Sequence, residues 1–373
     1  MRAAMILLAG LITLAFSIPV MASGTLTIGL LAGPEFDGGT LGARLGIEDN
    51  NTTGRFTGQT FALDEIHLAP GEDTAAAAQK LVSRSRPFAI ALLDAPQLSL
   101  AASQSNLLLF NAAAPDEALR NEGCRANLLH TLPDRAMLAD GLAQYLIKKR
   151  WNNWLLVSGT SPADAAFADA IRRSAKRFGA HIVASRSWSF DADSKPENEV
   201  PTFTQNADYD VVVVADEAND FGDLLSYRLW LPRPVVGTQG LVAKGWDASA
   251  EDWGAIQLQN RFRKLAGRAM TPVDYAAWLA VRALGEAATR GKTIEPQALR
   301  RALLDPQFTV AGFKGRQLSF RPWDGQMRQP IFLAAANGLI ATAPVEGFLH
   351  PVTEMDTLGI DRPETKCQMG AHP

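Results

Sequence analysis

The sequence predicts an α/β protein built from two units in series, each a parallel sheet flanked by helices. Three observations carry that expectation. Short apolar runs of strand length alternate with longer stretches of helical periodicity. The alternation restarts after Thr131-Leu132-Pro133-Asp134. The chain is also longer than one small domain requires.

Residues 25–31 read as the first strand, followed by the glycine-rich loop Gly33-Pro34-Glu35-Phe36-Asp37-Gly38-Gly39. A helical pattern runs from Thr40 to about Asn50 and closes over Asn51 to Gly54. A second strand is expected at 61–68, then a helix over 73–84 with Asp73 or Thr74 as its N-cap. Strands at 88–93 and 107–110 complete a β-α-β series, which implies parallel pairing with helices on both faces. In the second unit a helix covers 136–149, a strand 154–158, a helix 163–178 ended by Gly179, and a strand 181–185. The four valines Val211 to Val214 read as a strand buried on both faces, and 234–237 as another. Residues 256–288 are helical. There, Thr271-Pro272-Val273-Asp274 gives an N-cap, a proline at the first helical position and an acid three residues after the cap. Strand-like stretches at 317–320 and 331–335 precede a polar tail.

Arg2 followed by the nearly uncharged apolar run 3–20 and Val20-Met21-Ala22 has the form of a secretory signal peptide spanning 1–22, with cleavage after Ala22. The run ends at Pro19 without a basic stop-transfer cluster, and no cysteine lies near the cleavage point, so neither a membrane-embedded chain nor a lipid anchor is expected. The composition is 47% hydrophobic and 20% charged, that of a globular protein. A net charge of −3 gives no polyanion-binding footprint and no nucleic-acid partner. Cys124 and Cys367 are the two cysteines, with no CxxC; in an oxidising compartment such a pair is expected as a disulfide.

Ligands of open α/β sheets bind beyond the carboxyl ends of the strands. That rule nominates Glu35, Asp37, His67, Asp94 to Gln97 and Asn111 in the first unit, and Ser158 to Ser161, Asp216, Glu217 and Gln239 in the second. Asp134 and Arg135 stand at the connection. The surplus of acids suits a hard cation or an amine; the alternative is that these are turn and cap residues, for which Asp is equally suited. The acidic loop 191–199 has Pro196 where a calcium loop of the EF-hand type needs glycine, and reads as solvated. His67, His130 and His181 lack ligand spacing. Trp246 and Trp253 flank an acidic segment, where packing between lobes competes with stacking on a flat ligand. GxSxG, HExxH, P-loop and GxGxxG motifs are all missing, so the chain reads as a binding protein without a cofactor, not an enzyme.

The stretches 27–31 and Gly42-Ala43-Arg44-Leu45-Gly46-Ile47-Glu48-Asp49-Asn50, the segment His130-Thr131-Leu132-Pro133-Asp134, and the helix 275–284 resemble the type I periplasmic binding proteins of the branched-chain amino acid family. More specific runs, 318–326, Gly347-Phe348-Leu349-His350, 356–359 and 361–365, resemble the subgroup associated with PQQ-dependent alcohol oxidation and lanthanide utilisation. The resemblance implies two lobes around a cleft, with three crossovers at a hinge. Lobe one would hold 23–132 plus 256–312, lobe two 133–255 plus 313–350, and 351–373 would be a C-terminal tail. It also implies a monomeric periplasmic component of an ABC importer, with a small solute and an inner-membrane permease as partners; a sensor presenting its ligand to a receptor is the alternative. Amino-acid-binding relatives offer hydroxyls to the ligand carboxylate, whereas this chain has Asp94 and Ala112-Ala113. PQQ, a tricarboxylate, would need basic residues such as Arg135 or Lys244, which the acids outnumber. Asp94 is expected to face Asp216 or Glu217 across the cleft.

Overall fold

The nine residues of β1 (Gly24–Ala32) bury nearly every side chain toward their carboxyl end, as a central parallel strand must. In this computed structural model, residues 24–36, 38–188, 196–336 and 338–369 are described. The signal-peptide reading, Asp37 and most of the acidic loop before Pro196 lie outside them. Around β1 are arranged β2 (Gln59–His67), β3 (Phe88–Leu92), β4 (Leu108–Asn111) and β5 (Leu128–His130), all parallel, in the order β2-β1-β3-β4-β5.

The first helix, α1 (Thr40–Thr57), outruns its expected end by several residues. Asn51 does not break it, because its side chain hydrogen-bonds the backbone of Phe61 on β2 through both ends, at 2.8 and 2.9 Å. Tertiary pairing thus overrides a weak helix former. Next come α2 (Thr74–Ser83), capped by Asp73, and α3 (Ala95–Gln104), a helix without a distinct signal in the sequence. After β5 the chain enters the second lobe with α4 (Arg135–Lys148), β6 (Asn153–Ser158), α5 (Pro162–Phe178), β7 (His181–Ser187), α6 (Pro196–Phe203), β8 (Val211–Ala215), α7 (Gly222–Arg228), β9 (Val235–Gly237) and β10 (Leu241–Lys244). It then returns to the first lobe with α8 (Ala255–Ala266), α9 (Pro272–Gly291) and α10 (Pro296–Leu303). Gly267, at φ 70°, ends α8, and α9 starts at the expected N-cap, Thr271.

Residues Gly42 and Gly46 let α1 approach α9 closely. A Cβ at Gly42 would lie 1.9 Å from the Asp274 carbonyl oxygen, and one at Gly46 would lie 2.8 Å from Val281 Cβ. One turn on, Asn50 donates to the Val281 carbonyl at 2.8 Å. The stretch 42–50 is therefore a helix-packing seam.

Short strands β11 (Val310–Ala311), β12 (Gln317–Phe320) and β13 (Met327–Arg328) form a small antiparallel sheet; β14 (Ile331–Ala335) and β15 (Gly338–Ala343) follow. The second sheet has the order β15-β14-β10-β9-β8-β6-β7. Its parallel part, β7-β6-β8-β9-β10, repeats the strand order of the first lobe, and β14 and β15 add an antiparallel edge. The three crossovers follow β5, β10 and β11. Residues 313–350 do not all side with the second lobe: Leu318, Phe320 and Met327 pack into the first core, with the Phe320 ring 6.2 Å from that of Phe110.

The crossovers enclose a buried layer of aromatic and ionic groups. Trp246 stacks on Tyr275 with ring centroids 4.5 Å apart and planes 9° from parallel, so this tryptophan packs between lobes. Arg120 and Arg321 are each 1% exposed. Arg120 donates to Gln326 and to the carbonyls of Ala114, Asp116 and Leu132. Arg321 donates to Asp356 at 2.9 Å and to the Leu358 carbonyl at 2.7 Å.

The tail crosses the hinge as a strap. On the second lobe, the Gly359 N–H donates to Asp140 at 2.8 Å and Arg177 donates to the Gly359 carbonyl at 2.7 Å. On the first lobe, Cys367 is bonded to Cys124, with Cα atoms 5.6 Å apart, and Met369 is buried in the core. No helix among the described residues is long and apolar enough to cross a membrane.

Candidate functional site

In each lobe the strand order reverses beside the first strand, between β1 and β3 in one sheet and between β6 and β8 in the other. Loops at such switch points leave a crevice at the strand ends, the usual ligand position in open α/β sheets. The first lobe brings Gly33, Glu35, Asp94 and Gln97 there; the second brings Gly159 to Ser161 and Asp216 to Phe221.

Most of the polar groups nominated from sequence are consumed in shaping these loops. Asn111 is fully buried; its oxygen accepts from the N–H groups of Ala113 and Ala114, and its nitrogen donates to the Ala114 carbonyl. It fixes the turn after β4 and has nothing left for a ligand. His130 lies with Nδ1 3.0 Å from Asn111 Nδ2, and burial, helped by the Arg120 charge, holds the imidazole well below its ordinary pKa. Asp134 caps α4 through Met137 N at 2.8 Å and stands 3.8 Å from Arg120.

The expectation of a free Asp216 facing the cleft is corrected in the same way. Its carboxylate accepts from the N–H groups of Asp220, Phe221 and Gly222 at 2.7–3.0 Å and is 1% exposed, which makes it the organiser of the loop after β8. Gln239 closes this network by donating to Asn219 at 3.0 Å and to Asp216 at 3.4 Å. Glu217 is also committed: both oxygens meet Arg135, at 2.8 and 2.7 Å.

Arg135 is 7% exposed and also donates to Asp116 in the first lobe at 3.2 Å. Beside it Arg173 of α5 holds Glu117 of the first lobe through two bonds of 2.6 and 2.7 Å. Burial raises the Glu117 pKa, and the Arg173 hydrogen bond opposes that rise. These two cross-lobe ties went unread in the sequence, because Asp116 and Glu117 sit beyond the strand-end loop in a short 3-10 turn.

What remains uncommitted lies on the first lobe. Glu35 is exposed and has no hydrogen bond or ion pair among the described residues. Asp94 is exposed and uses one oxygen to cap α3 through Gln97 N at 2.8 Å. The Gln97 side-chain oxygen is buried and has no partner. A Cβ at Gly33 would lie 2.7 Å from a Glu35 carboxylate oxygen and 3.1 Å from the Gln97 oxygen, so glycine is what lets both acceptors converge beside the β1 end. Among the described residues, no three His, Cys, Asp or Glu side chains converge as a metal site would require.

Two lobes of matching strand order, joined by three crossovers, define a two-lobed α/β architecture. The family model described as periplasmic binding protein matches residues 27–226, and the chain belongs to that family, one of binding proteins and not of enzymes. Among solved structures, a branched-chain amino acid ABC transporter ligand-binding protein from Burkholderia xenovorans aligns over 92% of this chain and 99% of its own, with TM-score 0.76 and 15% identity. A leucine-, isoleucine-, valine-, threonine- and alanine-binding protein from Brucella ovis, in a closed conformation, aligns over 89% and 98%, with TM-score 0.70 and 16% identity. An ABC transporter substrate-binding protein from Desulfitobacterium hafniense, in complex with Leu, aligns over 85% and 99%, with TM-score 0.68 and 17% identity. At these identities the likeness establishes the fold. No curated protein matches the chain.

The runs 318–326 and 356–359 have a position too. Arg321, Asp324 and Gln326 belong to the buried hinge layer, and Asp356, Leu358 and Gly359 to the strap. These residues build the hinge and its strap, with Gln326 bridging to His130 at the end of β5.

Proposed function

We propose that this chain is the substrate-binding component of an ABC importer, released to the periplasm by cleavage after Ala22, and that it captures a small organic solute bearing an amine or another strong N–H donor. One observation carries the choice of ligand class: among the described residues at the first lobe's switch point, Glu35, the second oxygen of Asp94 and the Gln97 oxygen are acceptors without a partner. A ligand ammonium has three donors and a positive charge to answer them. A hard cation is the poorer occupant, since it needs several carboxylates converging on one point, while Asp134, Asp216 and Glu217 are committed elsewhere. The setting in PQQ-dependent alcohol oxidation is proposed on sequence likeness alone.

Closure would bring the ligand against the second lobe, and the gain in contacts would drive the hinge equilibrium. Thermal-shift and calorimetric titration with primary amines, amino acids, alcohols, carboxylates, calcium and lanthanum ions tests this reading. Amines or amino acids should raise the transition temperature, and Glu35→Gln or Asp94→Asn should weaken their binding about tenfold with little change in the stability of the empty protein. Stabilisation by lanthanum or calcium ions alone would overturn the amine assignment.

A further inference from the structure

Beside the hinge, away from the strand-end crevice, a cavity of about 450 Å³ opens between the second and third crossovers and the β14–β15 edge. This falls within the ordinary range for small-molecule sites, roughly 300–1,000 Å³. Its walls include Trp253, Phe313 and Phe332, with Lys314, Arg316 and Asp252 as charged members.

Two of the aromatic residues are held in a backbone conformation that side-chain-bearing residues avoid. Trp253 has φ 57° and Phe313 has φ 55°. Their rings interlock with glycines of the opposite segment. A Cβ at Gly315 would lie 2.7 Å from the Trp253 indole nitrogen, and one at Gly254 would lie 2.9 Å from the Phe313 ring. The fold thus maintains strain to aim two rings at this cavity, yet Trp253 remains 73% exposed, with most of its surface uncovered.

Lys314 is 4% exposed and has no carboxylate within ion-pairing distance among the described residues. Two of its N–H groups reach the Gln329 side-chain oxygen at 2.8 Å and the Pro330 carbonyl at 2.9 Å. The ammonium lies 4.8 Å from the Tyr275 ring centroid and 5.1 Å from that of Phe332. Its third N–H has no acceptor among the described residues. Dipoles and ring faces alone surround this amine, and burial holds its pKa well below the ordinary lysine value; an anion beside it would restore the charged form and complete the arrangement. Arg316, by contrast, is already paired with Glu354 at 2.6 Å. Asp252 is the one acid in the wall and limits the net positive charge, which suits a single carboxylate better than a phosphate or dicarboxylate.

We propose that this hinge cavity is a second ligand site, distinct from the strand-end crevice, that takes a small aromatic monocarboxylate with its ring on Trp253 and Phe313 and its carboxylate toward Lys314. Benzoate is the probe and benzyl alcohol its neutral counterpart, each titrated calorimetrically into the mature full-length protein. Benzoate should bind saturably with one-to-one stoichiometry, and benzyl alcohol at least tenfold more weakly. Lys314→Met fills a similar volume without charge; it should lower benzoate affinity about tenfold and erase the preference over benzyl alcohol. Trp253→Asn, a change at an exposed position to a residue that tolerates positive φ, should weaken both ligands. Absence of saturable benzoate binding to the wild type overturns the proposal. So does benzoate binding that survives both substitutions unchanged, which would move it to another site.

Discussion

Asp324 is buried at the hinge with less compensation than its neighbours, and replacing it with asparagine tests how the ionic layer is balanced. It is 2% exposed, accepts one backbone bond from Gln326 at 2.9 Å, and stands 3.6 Å from Arg321. Burial pushes its pKa from 3.8 up to about 6; Arg321 opposes that rise and Asp134 adds to it. The folded state therefore holds its proton more tightly than the unfolded chain does. The cost of ionising it in place is absent below pH 3.8, grows as the pH rises through about 6, and is constant above. At about 1.4 kcal/mol per pH unit, it amounts to about 3 kcal/mol at pH 7.5. An asparagine side chain there would keep the acceptor for Gln326 and cannot ionise, while Arg321 keeps Asp356 at 2.9 Å. Asp324→Asn should equal the wild type in stability near pH 4 and exceed it by up to about 3 kcal/mol at pH 7.5. Urea unfolding followed by circular dichroism at pH 4, 6 and 7.5 measures the difference, with the slope checked for constancy. A variant less stable than the wild type at pH 7.5, or a difference independent of pH, would refute the reasoning. Asp324 would then be an essential counter-ion of Arg321.

Gly42→Ala should force α1 away from α9, since the new methyl meets the Asp274 carbonyl; a loss of about 3 kcal/mol is expected, read from thermal or urea unfolding. Cys367→Ser should cost up to about 5 kcal/mol, given the 243-residue separation of the bonded pair, and reductant should then have no further effect on unfolding. Arg173→Ala removes a half-exposed pair and should cost only about 1 kcal/mol in stability. It also removes a tie between lobes, so the ligand-free protein should show a larger radius of gyration by small-angle scattering; an unchanged radius would mean the tie does not restrain opening.

The doubly repeated sheet was readable because its signals are local. The valines of β8, the capping box of α9 and the glycine after α5 each announce an element from within a few residues. Elements that depend on distant partners were not readable. The last two turns of α1 rest on Asn51 meeting β2, and α3 is a short alanine-rich helix whose cap, Asp94, reads equally well as a strand-end acid. The same ambiguity governed the site. Asp134, Asp216 and Asn111 are where a ligand-binding residue would stand, but they satisfy backbone groups of their own loops, which sequence position cannot distinguish from facing a cleft. Gln97 was within the nominated stretch, yet an amide carries no charge to single it out; only the missing partner for its oxygen does. Asp116 and Glu117 gave no signal, since their arginine partners lie 19 and 56 residues away.

The bond between Cys124 and Cys367 makes a covalent ring of everything between them. All of the second lobe and all three crossovers fall inside that ring. A protease that nicks one exposed loop of the second lobe, such as the stretch between α7 and β9, therefore releases no fragment. The pieces stay tethered and can re-close around the cut, and the nick becomes visible on a denaturing gel only after reduction. A periplasmic protein living among proteases gains from this a tolerance to single cuts that neither lobe would have if the tail were merely packed in place.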